Sequence, residues 1–130
     1  MIRNILITVP DKYLLMTLSG FLQEEGYTVE QCPQQYLITS GLLSYPKTEL
    51  LIVDLDGDRD CLALAATTKS SLKIIALTSV KGMLDEYTVN KAKQKYGIDK
   101  FINKPFMLDD FFKAVLELSG EEFSPKGSSV

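Results

Sequence analysis

Residues 50–53 read Leu-Leu-Ile-Val, and Asp54 follows them without a break. Four apolar residues in a row, with no polar alternation, suit a strand buried on both faces. Such strands belong to parallel sheets covered by helices. Two later segments repeat the arrangement. Residues 74–77 (Ile-Ile-Ala-Leu) end in Thr78, and residues 101–103 (Phe-Ile-Asn) end in Lys104 followed by Pro105. In open α/β sheets, chemistry gathers outside the carboxyl ends of the strands. A carboxylate there can hold a metal or act as a nucleophile, and a nearby ammonium can offset phosphate charge. An acid, a hydroxyl and an ammonium at three strand ends therefore make a set suited to phosphoryl groups.

Strand and helix patterns alternate along the rest of the chain. Strands are expected at residues 5–9, 27–31, 50–53, 73–77 and 101–103, the second half-exposed or at an edge. A first helix carries the stripe Leu14, Leu15, Leu18, Phe21 and Leu22 and closes at Gly26. A second starts at Pro33 and stops before Pro46, and a short, Ala-rich third covers residues 61–68. The fourth is polarised from Asp85 and Glu86 to Lys91, Lys93 and Lys95, with Gly97 after it. The last covers residues 108–118. Five β-then-α units with short connections predict one α/β domain, a doubly wound, flavodoxin-like (βα)5 parallel sheet in the order 2-1-3-4-5. That domain is expected to occupy residues 1–118, with 119–130 as a flexible tail or a linker to a further region.

Composition removes several alternatives. The 130 residues are 45 % hydrophobic, enough for a packed core, and the net charge of −3 gives no support for a nucleic-acid surface. Cys32 and Cys61 lack the spacing of a zinc site or a disulfide framework, and no segment has the length of a membrane span, so a cytoplasmic location is expected. The chain has no histidine. Catalytic triads, imidazole metal sites and a phosphohistidine of its own are therefore excluded.

With this order and these strand ends, the chain resembles the receiver domain of bacterial response regulators over about residues 3–118. By that resemblance Asp54, in LLIVDLDG, is the phosphoacceptor. Thr78, in IIALTS, is the hydroxyl residue that hydrogen-bonds the phosphoryl group, and Lys104, in the Lys104-Pro105-Phe106 segment, is the charge-balancing lysine. Thr78 and Phe101 are the switch residues. The resemblance implies no enzyme activity beyond assisting its own phosphorylation and dephosphorylation. A histidine kinase or phosphotransfer protein would supply phosphate, and a downstream effector domain or protein would read the result. A homodimer could form through the face of the fourth helix, fifth strand and fifth helix. No contact with nucleic acid or membrane is implied.

One departure stands out. Receivers carry two adjacent acids after the first strand that hold Mg²⁺, and here Val9 and Pro10 take those positions. Neither side chain offers an oxygen. The remaining candidates for Mg²⁺ are Asp54, the backbone carbonyl of Asp56 and Asp11, which is one position late and suits a helix cap better. Weakened Mg²⁺-dependent phosphorylation, or partner binding without phosphorylation, is the expectation. The competing reading is a haloacid-dehalogenase-type phosphatase with Asp54 as nucleophile and Asp56 as general acid. Its first motif would then lie on the third strand rather than the first, and no later acidic motif follows on a strand. A calcium loop across Asp54 to Asp60 fails at Arg59 and Ala65, and the first loop lacks the donors a flavin phosphate needs.

Overall fold

Among the described residues, five parallel strands form one sheet whose order, numbered along the chain, is 2-1-3-4-5, as expected from the sequence. The computed structural model describes residues 2–32, 46–55, 72–79, 94 and 97–121. Within them lie β1 (Asn4–Thr8), α1 (Lys12–Glu24), β2 (Thr28–Gln31), β3 (Leu50–Asp54), β4 (Lys73–Thr78), β5 (Lys100–Asn103) and α2 (Leu108–Ser119). The second, third and fourth helices expected from the sequence fall outside the described residues. The fifth expected helix is α2, and it runs one residue past its expected end.

The central strand is as apolar as its sequence requires. All five residues of β3 are buried, and burying each of its Leu, Ile and Val side chains contributes about 1.5–3 kcal/mol. Strand alternation divides the core into two layers. On one face Ile5, Ile7, Leu50, Ile52, Ile75 and Leu77 pack against Leu18 and Leu22 of α1 and Phe111 and Val115 of α2. Leu6, Leu51, Val53, Ile74 and Ala76 form the opposite face together with Cys32, and Phe101 packs against them half-buried. Phe21 of α1 meets Phe112 of α2 edge-on at 5.4 Å, tying the two helices together.

Helix ends follow local chemistry. The Asp11 carboxylate accepts the backbone N–H groups of Tyr13 (2.9 Å) and Leu14 (3.1 Å), capping α1. Both helices stop at a glycine with positive φ, Gly26 at +98° and Gly120 at +77°. This left-handed turn lets Tyr27 N–H reach the Leu22 carbonyl at 3.0 Å and Glu121 N–H reach that of Leu116 at 2.8 Å. Ser119, expected to open the tail, thus belongs to the helix.

Candidate functional site

Register brings the three strand ends together. Asp54 closes β3 and pairs in register with Leu77, one residue before Thr78 closes β4. Thr78 pairs in turn with Asn103, the last residue of β5, and Lys104 comes next. The backbone fixes the turn after β5, because Lys104 N–H donates to the Thr78 carbonyl at 2.7 Å. The Leu55 N–H does the same for Leu77 at 2.8 Å. The Lys104–Pro105 peptide bond is cis.

Lys104 spans β4 to reach the central acid. Its Nζ donates to Asp54 Oδ2 at 2.8 Å, with the Asp54 side chain 2 % exposed and that of Lys104 21 % exposed. Burying a carboxylate this deeply is costly unless a close cation or several N–H donors compensate it. Thr78 is fully buried. Strand alternation places Thr78 and Phe101 on one face of the sheet, the face that carries Ala76, and places Asp54 and Lys104 toward α1 and α2. The charged pair and the two residues expected to switch therefore occupy opposite sides of one edge.

The residues after β1 contribute little oxygen. Val9 is buried in the layer under α1, and Pro10 is exposed. Asp11 lies near the site, lining a groove of about 410 Å³ with Leu14, Ser79, Lys104 and Phe106. One of its oxygens is committed to the α1 cap. Among the described residues, no three His, Cys, Asp or Glu side chains come together as a metal-ligand group. The described residues therefore fit Mg²⁺ poorly, since that ion needs an octahedral shell of oxygens usually anchored by one or two carboxylates. Asp56, expected as a carbonyl ligand or as the general acid of a phosphatase, lies outside the described residues.

Sequence reading passed over the groove itself. Its walls combine Leu14 and Thr17 of α1 with Phe106 and Leu108, and the exposed Met107 stands beside it. Ser79, directly after Thr78, was the legible signal that the pocket continues past β4.

No family model matches this chain. Solved structures do resemble it. A response regulator from Thermotoga maritima superposes with a TM-score of 0.73 at 18 % identity, over 93 % of this chain and 100 % of that one. A CheY-like response regulator receiver domain protein from Methanospirillum hungatei gives 0.73 at 21 % identity, over 92 % and 96 %. The response regulator TrrA from Thermotoga maritima, solved in complex with Mg²⁺-BeF, gives 0.71 at 20 % identity, over 89 % and 98 %. No helix among the described residues is long and apolar enough to cross a membrane. The chain has the fold of response-regulator receiver domains.

Proposed function

We propose that this chain is a signal-transduction receiver domain working in a phosphorelay, with Asp54 as its phosphoacceptor and with Mg²⁺-dependent phosphorylation weakened or replaced by phosphorylation-independent partner binding. The observation that carries this reading is the 2.8 Å ion pair between Lys104 and the buried Asp54 at the carboxyl edge of the sheet. Beside it, valine and proline stand where an acid pair would hold metal.

In this reading an Asp54 oxygen attacks the phosphorus of a phosphohistidine or a small acyl phosphate. The new P–O bond forms as the donor's bond to phosphorus breaks, leaving an acyl phosphate on Asp54. Lys104 then turns from the carboxylate to the phosphoryl oxygens, and the Thr78 hydroxyl donates a hydrogen bond to them. The phosphoryl group adds about −1.5 to −2 charge and favours the state with Thr78 and Phe101 drawn inward. Asp54 and the backbone carbonyl of Asp56 are the groups that would hold Mg²⁺, and they would hold it weakly. It would supply charge neutralisation on the phosphoryl oxygens.

None of these residues can carry a phosphohistidine, since the sequence has no histidine, and a histidine kinase or phosphotransfer protein supplies the phosphoryl group in the relay. A downstream effector, or a second copy, reads the face of the fourth expected helix, β5 and α2. The domain acts in the cytoplasm and has no enzyme activity beyond its own phosphorylation and dephosphorylation.

Intact-mass analysis after incubation with acetyl phosphate tests this. We expect slow gain of one phosphoryl group with little response to Mg²⁺, and none in Asp54→Asn. Fast, strongly Mg²⁺-dependent labelling, or labelling that persists in Asp54→Asn, would overturn it.

A further inference from the structure

Two hydroxyl residues follow one another at the end of β4, and they take opposite faces of the sheet. Thr78 is fully buried on the face that carries Ala76, whereas Ser79 is exposed. Alternation carried one residue past the strand puts Ser79 on the face of Leu77, toward α1 and α2. The register agrees. Thr78 pairs with Asn103, so the next step sets Ser79 beside Lys104, at the spacing of about 4.8 Å between neighbouring strands. Both residues line one groove together with Asp11, Leu14 and Phe106. Asp54 pairs with Leu77 on the other side of β4, and Lys104 crosses β4 to reach it at 2.8 Å. On that face β4 offers the fully buried Leu77 and then, at its solvent end, Ser79. A group that approaches Asp54 from solvent meets Ser79 on its own side of the sheet, while Thr78 must turn across the edge to reach it.

We propose that Ser79 is a second phosphoryl-positioning residue of this site, its hydroxyl donating to an oxygen of the incoming phosphoryl group beside the Lys104 ammonium. The inference rests on Asp54 as the phosphoacceptor. No bond to phosphorus forms at Ser79, and its proton stays on the hydroxyl throughout. A neutral donor matters here because positive charge is scarce. Lys104 stands between the carboxylates of Asp54 and Asp11, and Val9 and Pro10 bring no metal ligand. The Asp11 charge is partly answered by the N–H groups of Tyr13 and Leu14, which leaves the phosphoryl oxygens to Lys104 and to hydroxyls near it. Hydrogen bonds to charged oxygens are among the stronger ones. Thr17 also lines the groove, but it stands about 9 Å along α1 from Asp11, away from the carboxyl edge. The two β4 hydroxyls then divide the work: Ser79 receives the phosphoryl group, and Thr78 responds to it from the buried face.

Two measurements on the full chain test this. Asp54→Asn has no phosphoacceptor and leaves Lys104 without that carboxylate. Titrating it with inorganic phosphate, followed by amide NMR, is expected to shift residues 79 and 104 together. Adding Ser79→Ala should weaken that binding by at least about threefold, and Ser79→Thr, which keeps the hydroxyl, should not. With acetyl phosphate and intact-mass readout, Ser79→Ala alone should gain a phosphoryl group at least about tenfold more slowly than the parent. Ser79→Thr should recover most of the rate, and thermal unfolding should be preserved in both, since residue 79 is exposed. A parent that gains no phosphoryl group, or gains it equally in Asp54→Asn, counts against Asp54 as phosphoacceptor, and the phosphate titration then decides Ser79 by itself. Phosphate that leaves residues 79 and 104 unshifted, binding that Ser79→Ala does not weaken, or equal labelling rates in a parent that labels on Asp54 would overturn the proposal.

Discussion

The two edges of the sheet handle carboxylates in opposite ways. At the amino edge, Glu49 accepts Arg3 N–H at 3.0 Å, Asn4 N–H at 3.1 Å and the Asn4 amide Nδ2 at 3.2 Å. Asp99 accepts Ile74 N–H at 2.9 Å. Each acid stands one residue ahead of a strand and locks the start of its neighbour. Their donors are mainly backbone groups held by the ladder, with little freedom to leave. At the carboxyl edge, Asp54 meets the ammonium of Lys104 on a flexible four-carbon stem. A carboxylate fixed by backbone donors is a structural latch. One held by a side chain with a flexible stem can exchange that partner, and the same fold holds both kinds.

The largest effect is expected at Lys104. Replacing it with methionine keeps the stem and removes the cation, leaving the Asp54 charge buried without it. Urea unfolding near neutral pH should show a loss of about 3–5 kcal/mol. Adding Asp54→Asn to Lys104→Met should return most of that loss. If the double variant is as unstable as the single one, Lys104 acts through packing and the contrast between the edges fails.

At the amino edge the prediction is smaller and depends on pH. Hydrogen bonds from Arg3 N–H foremost, and then from Asn4, hold the Glu49 carboxyl below its ordinary pKa. A depressed pKa means the folded state prefers the charged form. Its stabilisation is present above the ordinary glutamate range and is lost as pH falls through the folded-state value. Glu49→Gln keeps one acceptor oxygen, so the loss at neutral pH should be on the order of 1 kcal/mol. Urea midpoints at neutral and acid pH should show that the variant also loses less on acidification than the parent. An unchanged acid response would remove Glu49 as a latch.

The smallest effect concerns Thr8, the last residue of β1. Its hydroxyl is buried without a hydrogen-bond partner among the described residues. Thr8→Val keeps the shape and removes the stranded polar group, so thermal unfolding should show unchanged or raised stability, by up to about 1 kcal/mol. A clear destabilisation would mean that the hydroxyl is engaged, and that the carboxyl edge holds one more polar contact than its strand ends disclose.

Legibility in the sequence followed periodicity. The β3 run, the stripe of α1 and the short connections disclosed the strand order, because a strand buried on both faces restricts topology strongly. Asp11 was legible as a cap from its place before the stripe. Asp54, Thr78 and Lys104 were legible as strand-end residues, since the sheet geometry brings such ends together. Glu49 and Asp99 were not. Their partners, at Arg3, Asn4 and Ile74, are distant in sequence, and an acid before a strand looks like any solvated turn until register is known.

The central claim is that Val9 and Pro10 deprive the site of metal ligands, leaving Lys104 as the counter-charge to Asp54. A Mg²⁺ titration of the parent against the Val9→Asp/Pro10→Asp variant, followed by tyrosine fluorescence or NMR, tests it most directly. Two added carboxylates beside Asp54 raise local negative charge and supply oxygen ligands. The variant should bind Mg²⁺ at least about tenfold more tightly, accept phosphate faster, and be less stable without metal. Equal Mg²⁺ affinity in parent and variant would contradict the account, because it would mean that residues such as Asp11, Asp56 or Asp58 already complete the site.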